Sequence, residues 1–263
     1  MVYDIHGNAL TEPKKVRILE YNIGNFTGDG TFDGYAGDDL PGYIADWAQF
    51  IGAAGADICL LVENRYYIDA GNTTPSKTAL FDPLYSNVTD YDYPPPLQSW
   101  QYPWRVTLLS NVQQSEVVRA TFTHQATANG GSKYIKVVAP LNGVQVCVVV
   151  AHLTHGDTQT DIDTRAMQMQ ELIALTAPYS NVIVGGDFNT RSLAEMAPME
   201  DAGFTVGNGG IFGEYLTQPK PAPTYPVDNI CVKGPKLKLQ NCAVLYDCEL
   251  SDHYPMVADI IVG

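Results

Sequence analysis

The chain has 263 residues, 45% of them hydrophobic and 17% charged, with a formal net charge of −14. That apolar mass suffices for one large domain with a sizeable core, and no linker-like break or internal repeat divides residues 1–263. The longest apolar runs fall far short of the roughly 20 residues a membrane-spanning helix needs. The acidic balance counts against tight, sequence-independent nucleic-acid binding.

Met1–Pro13 is polar and lacks the apolar segment of a signal peptide, so residues 1–14 read as an N-terminal extension or linker edge. The expected setting is cytoplasmic or processed-secreted, bacterial or phage. Val16–Tyr21 alternates apolar and polar residues as a strand does. Gly24–Asp39 is a Gly- and Asp-rich loop, and Leu40–Ala54 has helical spacing through Ile44, Trp47, Ala48 and Ile51. Asp57–Val62 is a continuous apolar run, typical of a strand covered on both faces. Asn72–Gln101, with Pro94-Pro95-Pro96 and many tyrosines, reads as irregular apart from one short helix near Thr78–Tyr85. Strands recur at Arg105–Leu109, Ser115–Phe122, Tyr134–Ala139 and Val144–Ala151. Thr160–Ala177 is the clearest helix, opened by Thr160 or Asp161 and closed before Pro178. Asn181–Gly185 is a strand, and Leu193–Ala202 is a helix ended by Gly203. Asp228–Val232, Leu239–Tyr246 and Met256–Val262 are the last strands. Many strands and few helices, mixed along the chain, imply two sheets packed face to face with helices outside.

The polar residues at the strand ends carry the chemistry. Val16–Tyr21 ends in Asn22, Asp57–Val62 in Glu63, and Val144–Ala151 in His152. The run Val182–Val184 leads through Gly185-Gly186 to Asp187 and Asn189, Val227 precedes Asp228, and Asp252-His253 precede the last strand. One such residue is ordinarily a turn former or a helix cap. The series reads instead as one rim of side chains projecting from a rigid core. Hard oxygen ligands for Mg²⁺, a carboxylate to align water and an imidazole are what metal-assisted attack of water on a phosphate ester requires.

These residues resemble the motif series of the endonuclease/exonuclease/phosphatase superfamily. That group includes pancreatic-type deoxyribonuclease, abasic-site endonucleases, neutral sphingomyelinases and inositol 5-phosphatases. Gly-Asp-Phe-Asn (186–189) and Ser-Asp-His (251–253) are specific together. Tyr-Asn-Ile (21–23), Leu-Val-Glu (61–63) and Ala-His-Leu (151–153) follow in the family's order, and Arg165 with Gln168 or Gln170 matches its usual helix pattern. The resemblance covers Val16–Val262. It implies a four-layer α/β/β/α sandwich of two mixed, mainly antiparallel sheets. Glu63 then resembles the main metal-ligating acid, with Asn22 and Asp252 close by. Asp187 resembles the residue that orients or deprotonates the attacking water, and Asn189 the amide that holds the phosphate or that water. His253 resembles the imidazole that contacts the phosphate, and Asp228 its orienting acid. His152 matches the second histidine of the deoxyribonuclease and sphingomyelinase branches.

The expected activity is a monomeric Mg²⁺-dependent phosphoester hydrolase, with Mn²⁺ also suited, leaning to a deoxyribonuclease-like nuclease. The alternative within the class is a sphingomyelinase-like or inositol-phosphate-type enzyme, and outside it a binding module that lost turnover. Arg65, Arg105 and Lys133 are candidate substrate contacts. The acidic loop (Asp29, Asp33, Asp38, Asp39) is a weak match for a structural Ca²⁺ site, since it departs from the EF-hand pattern. Cys59 and Cys147 read as buried thiols, and Cys242 with Cys248 would pair only in an exported chain.

Overall fold

A computed structural model of the chain describes residues 2–3, 9–10, 12–24, 40–63, 84–91, 105–126, 131–248 and 250–263. Two short strands, β1 (Val2–Tyr3) and β2 (Ala9–Leu10), pair antiparallel within the N-terminal extension. The remaining strands form two six-stranded sheets.

One sheet has the order β13-β14-β3-β4-β6-β5, built from β3 (Lys14–Asn22), β4 (Ile58–Val62), β5 (Asn87–Tyr91), β6 (Val106–Ser110), β13 (Leu237–Val244) and β14 (Met256–Val262). The other has the order β11-β12-β10-β9-β8-β7. It comprises β7 (Ser115–Thr121), β8 (Lys133–Leu141), β9 (Val144–His152), β10 (Val182–Asp187), β11 (Thr205–Val206) and β12 (Asp228–Lys233). Each sheet contains one parallel pair, β3/β4 and β9/β10, flanked by antiparallel neighbours. Parallel neighbours need a long crossover. The helices α1 (Leu40–Ala53) and α2 (Gln159–Thr176) lie in those crossovers.

The alternation of side chains sorts the core into layers. Ile18, Leu60, Val62, Val148, Val150, Ile183 and Ile230 point between the sheets. Leu19, Tyr21, Cys59 and Leu61 point outward onto Trp47 and Ile51 of α1. Cys147, Val149 and Val184 point outward onto Met169 and Leu172 of α2. The result is the expected α/β/β/α sandwich. Strands such as β4, buried on both faces, are apolar throughout.

Differences from the sequence reading have local causes. Helix α2 is capped by Thr158, whose Oγ1 accepts from Asp161 N at 3.2 Å, while Asp161 Oδ2 accepts from Thr158 N at 3.1 Å. This capping box places the true start before Thr160 and makes Asp161 its return partner. The stretch expected as one helix over Leu193–Ala202 is a 3-10 turn (Leu193–Met196) followed by a short helix α3 (Ala197–Asp201). Pro198, lacking an N–H, is tolerated only in a first helical turn and so divides them. Strand β5 falls within the segment read as irregular. It is an edge strand with only Thr89 buried, so its sequence lacks an apolar face. All five cysteines are buried free thiols. Cys242 lies between the sheets and Cys248 under α1, so the two do not pair. The helix expected near Thr78–Tyr85, apart from its last two residues, lies outside the described residues, as do the acidic loop and Arg65.

Candidate active site

Topology gathers the strand-end residues. Asn22 ends β3, Glu63 follows β4, His152 ends β9 and Asp187 ends β10, so the carboxyl ends of both parallel pairs meet on one edge. The antiparallel neighbours contribute from their amino ends on that same edge. Arg105 precedes β6, Lys133 opens β8, Asp228 opens β12 and His253 precedes β14. Registers fix the neighbours: Asp187 lies beside both His152 and Asp228, and Lys133 beside His152. The pairing of Val62 with Val106 sets Arg105 alongside Glu63.

Asp187 reaches this edge on a strand that must come unusually close to its neighbours. A Cβ on Gly186, where φ is 145°, would stand 1.9 Å from the Ala151 carbonyl oxygen. One on Gly185 would stand 2.6 Å from Leu60 of the opposite sheet. The glycine pair before Asp187 therefore follows from packing. Glu63 and Asn189 take the left-handed conformation, with φ of 56° and 53°. For a non-glycine residue that costs on the order of 1 kcal/mol or more and is often found where a side chain is held for function.

Within this frame Asp187 is held at both oxygens. Oδ2 accepts from Asn22 Nδ2 at 2.9 Å and Oδ1 from the Asn189 N–H at 2.7 Å. Asn22 is itself fixed by Gly24 N–H donating to its Oδ1 at 3.0 Å, and Asn189 donates Nδ2 to the Leu153 carbonyl at 3.0 Å. Burial, then the charge of Asp228, pushes the Asp187 carboxyl up to about 7, against the pull of His253 and its hydrogen bonds. Glu63 is pushed up to about 7 by burial, with Asp252 and Asp187 adding and His253 and an Asn22 hydrogen bond opposing. His253 Nδ1 stands 2.8 Å from Asp228 Oδ2. Burial lowers its pKa, but Asp228, then Asp187 and Asp252, outweigh burial and bring it up to about 10. At neutral pH His253 is an imidazolium that donates Nδ1–H to Asp228. His152 is pushed down to about 3 by burial, then by Lys133 and His253, so it is neutral. Its Nε2 lies 3.7 Å from Glu63 Oε1 and 3.6 Å from Asp187 Oδ2, too far for hydrogen bonds.

Two groups of ligand atoms, each within 4.8 Å of one another, are Glu63/His152/Asp187 and Asp187/Asp228/His253. The 3.7 and 3.6 Å separations of His152 Nε2 from Glu63 and Asp187 put these donors close enough together that they could reach one cation. The carboxylate oxygens, with no cysteine in either group, fit a hard divalent ion, and the imidazole is a borderline donor. Asp252 belongs to neither group. It accepts from Ser251 Oγ at 3.3 Å and acts on Glu63 and His253 by charge. Lys133 and Arg105 are buried at the same edge, 1% and 8% exposed, and bring positive charge beside the acids.

Arg165 and Gln168 brace the site from α2. Arg165, fully buried, contacts Glu195 and the carbonyls of Thr154 and Gly156. Gln168 accepts from Thr154 N–H at 2.9 Å. Gln170, the alternative, is exposed. The sequence reading missed Glu20, which faces between the sheets two residues before Asn22. It is 0% exposed, and burial, then the charges of Asp228 and Asp187, push its carboxyl well above the usual carboxylate value. Its signal was present: it interrupts the inward apolar positions Val16 and Ile18.

The model of the Endonuclease/Exonuclease/phosphatase family matches residues 19–253. No curated protein matches the chain in sequence. Among solved structures, an endonuclease/exonuclease/phosphatase from Beutenbergia cavernae is 15% identical with a TM-score of 0.73, covering 95% of this chain and 72% of that one. TDP2 from D. rerio, complexed with a single-strand DNA product, is 15% identical with a TM-score of 0.64, covering 94% and 99%. SmcL is 18% identical with a TM-score of 0.65, covering 95% and 99%. At these identities the likeness is one of fold.

Proposed function

The chain belongs to the endonuclease/exonuclease/phosphatase family, whose members are phosphoester hydrolases that use divalent metals, and from that premise we propose that it is a Mg²⁺-dependent phosphodiesterase of the deoxyribonuclease type. The observation that carries the reading is the convergence of Glu63, His152 and Asp187 with the Asp228–His253 pair where strand ends of the two sheets meet.

Glu63, with Asn22 and Asp252 beside it, would hold the divalent cation, which would supply charge neutralisation for the phosphoryl oxygens. Asp187, poised near neutrality and locked in place by Asn22 and Asn189, aligns the attacking water and takes its proton. The water oxygen bonds to phosphorus as the bond to the leaving oxygen breaks, and negative charge gathers on the other oxygens. The His253 imidazolium, its Nδ1 held by Asp228, offers Nε2–H to that charge. His152, neutral between two carboxylates, offers a nitrogen to water or phosphate. Arg105 and Lys133 contribute fixed positive charge. The machinery occupies one catalytic domain spanning residues 1–263, active as a monomer.

His152 fits the deoxyribonuclease and sphingomyelinase branches alike, and nucleic acid is favoured as substrate by the likeness to a TDP2 structure that holds a DNA product. The net charge of −14 favours instead a small or lipid-borne phosphodiester. Among the described residues no helix is long and apolar enough to cross a membrane. The undamaged set of strand-end groups argues against a binding module without turnover. Nicking of supercoiled plasmid with Mg²⁺ or Mn²⁺, against EDTA and His253→Ala, tests the nuclease reading. Metal-dependent nicking lost in the variant supports it, and absence of nicking by the folded wild type shifts the substrate to small or lipid phosphodiesters.

A further inference from the structure

Three loops that each carry a residue of the catalytic edge also build a second cluster beside it. Arg191 follows Asn189 by two residues after β10, which limits the separation of their Cα atoms to about 7 Å. Its guanidinium lies over the ring of Tyr225, 4.4 Å from Cζ to the ring centre, on the segment that leads into Asp228. His155 and Asp157 come from the loop after His152. His155 Nε2 lies 3.2 Å from Arg191 Nη2, and Asp157 Oδ1 pairs with Arg191 Nε. The Arg191 backbone N–H donates to Glu195 Oε1 at 2.8 Å, and Glu195 is locked to the buried Arg165.

This arrangement is more than a surface ion pair. The Asp157 side chain is 68% exposed and that of Arg191 14%, so a solvent-screened charge pair alone stabilises little. The guanidinium is fixed instead on one face by the ring and on one edge by His155 and Asp157. A guanidinium only donates, so His155 Nε2 is the acceptor from Nη2, in keeping with burial and then Arg191 lowering the His155 pKa. Among the described residues Nη1 has no hydrogen-bond partner, which leaves donors open. A planar cation held in advance binds an oxyanion at small ordering cost.

We propose that Arg191, stacked on Tyr225 and flanked by His155, is a subsite for a second anionic group of the substrate: the phosphate next to the scissile one in a nucleic-acid strand. The inference rests on the phosphodiesterase reading above and names its substrate class. A substrate with a single phosphate leaves this subsite empty.

The test compares kcat/KM for bis(p-nitrophenyl) phosphate, which carries one phosphate, with that for a short single-stranded oligonucleotide. Wild type, Arg191→Gln, Arg191→Lys and Tyr225→Leu are measured with Mg²⁺, and folding is checked by thermal melting. Arg191→Gln is expected to lower the oligonucleotide value about tenfold more than the single-phosphate value, chiefly through KM. The log–log salt dependence of that KM should lose about one unit of slope. Arg191→Lys should recover part of the loss, since it keeps the charge without the fork; if Arg191→Gln does not fold, it supplies the same comparison. An equal fall on both substrates, or no fall on the oligonucleotide, overturns the inference. A wild type that hydrolyses only the single-phosphate diester also overturns it while the phosphoesterase reading stands. A folded wild type that hydrolyses neither refutes that reading itself.

Discussion

Replacing Asp228 with asparagine removes a charge while nearly keeping a shape, and it acts on the group that gives the site its positive pole. Burial lowers the His253 pKa, and Asp228 outweighs burial through its charge and its 2.8 Å contact with Nδ1, to reach about 10. The rise from the ordinary 6.5 exceeds three units, on the order of 4–5 kcal/mol in favour of the imidazolium. Because the folded value is raised, this contribution to stability is complete below pH 6.5 and is lost as pH rises through about 10. In Asp228→Asn the largest raising influence is gone and burial is left opposed mainly by Asp187 and Asp252. His253 should then be neutral at pH 7, and its tautomer no longer set by a carboxylate. The expected loss in kcat/KM at pH 7 is roughly 10²–10⁴-fold. The pH profile is recorded from 5 to 10.5 with bis(p-nitrophenyl) phosphate and saturating Mg²⁺. Its alkaline limb should move to lower pH in the variant, because the charge that raises His253 is gone. A variant whose alkaline limb stays with the wild type would refute the argument that Asp228 sets the charge of His253.

Other outcomes follow from the same geometry. Mg²⁺ at about 100 times its dissociation constant should stabilise the wild type by about 2.7 kcal/mol, and Glu63→Ala should lose most of that gain in a thermal melt. Glu63 and Asp187 both have carboxyls raised to about 7, and their two protons should outweigh the one that His152, lowered to about 3, fails to bind, so the metal-free protein should become more stable as pH falls from 7 towards 5. Urea midpoints in EDTA should rise over that interval and flatten with Mg²⁺; midpoints that fall would contradict the assignment. Arg165→Met leaves Glu195 without its buried partner and frees the loop after His152, at a cost of roughly 3–5 kcal/mol in chemical denaturation.

The sequence was most legible where burial is continuous. Strands such as Ile58–Val62 are apolar throughout because both faces are covered, and the residue that follows each one stands out as polar. That contrast is why Asn22, Glu63, His152 and Asp187 were readable from one chain. Their convergence was not readable, since it depends on two parallel pairs being packed with their carboxyl ends on one edge. Edge strand Asn87–Tyr91 was hidden by its partial exposure, and Thr158 by lying four residues before Ile162, the first apolar position of its helix. Glu20 was visible as a break in an apolar alternation, but only the packing of β3 against Asp187 and Asp228 gives the break meaning. Arg191 carried no signal, because its stacking partner Tyr225 comes from a loop whose position the sequence pattern does not set.

Hydrolysis of bis(p-nitrophenyl) phosphate by purified protein, with Mg²⁺ or Mn²⁺ and with EDTA, tests the central claim most directly when run beside Glu63→Gln and Asp187→Asn. The account predicts turnover that appears with the metal, vanishes with EDTA and falls at least about a hundredfold in each folded variant. Turnover that persists in EDTA, or that survives the loss of Glu63 and Asp187, would contradict it.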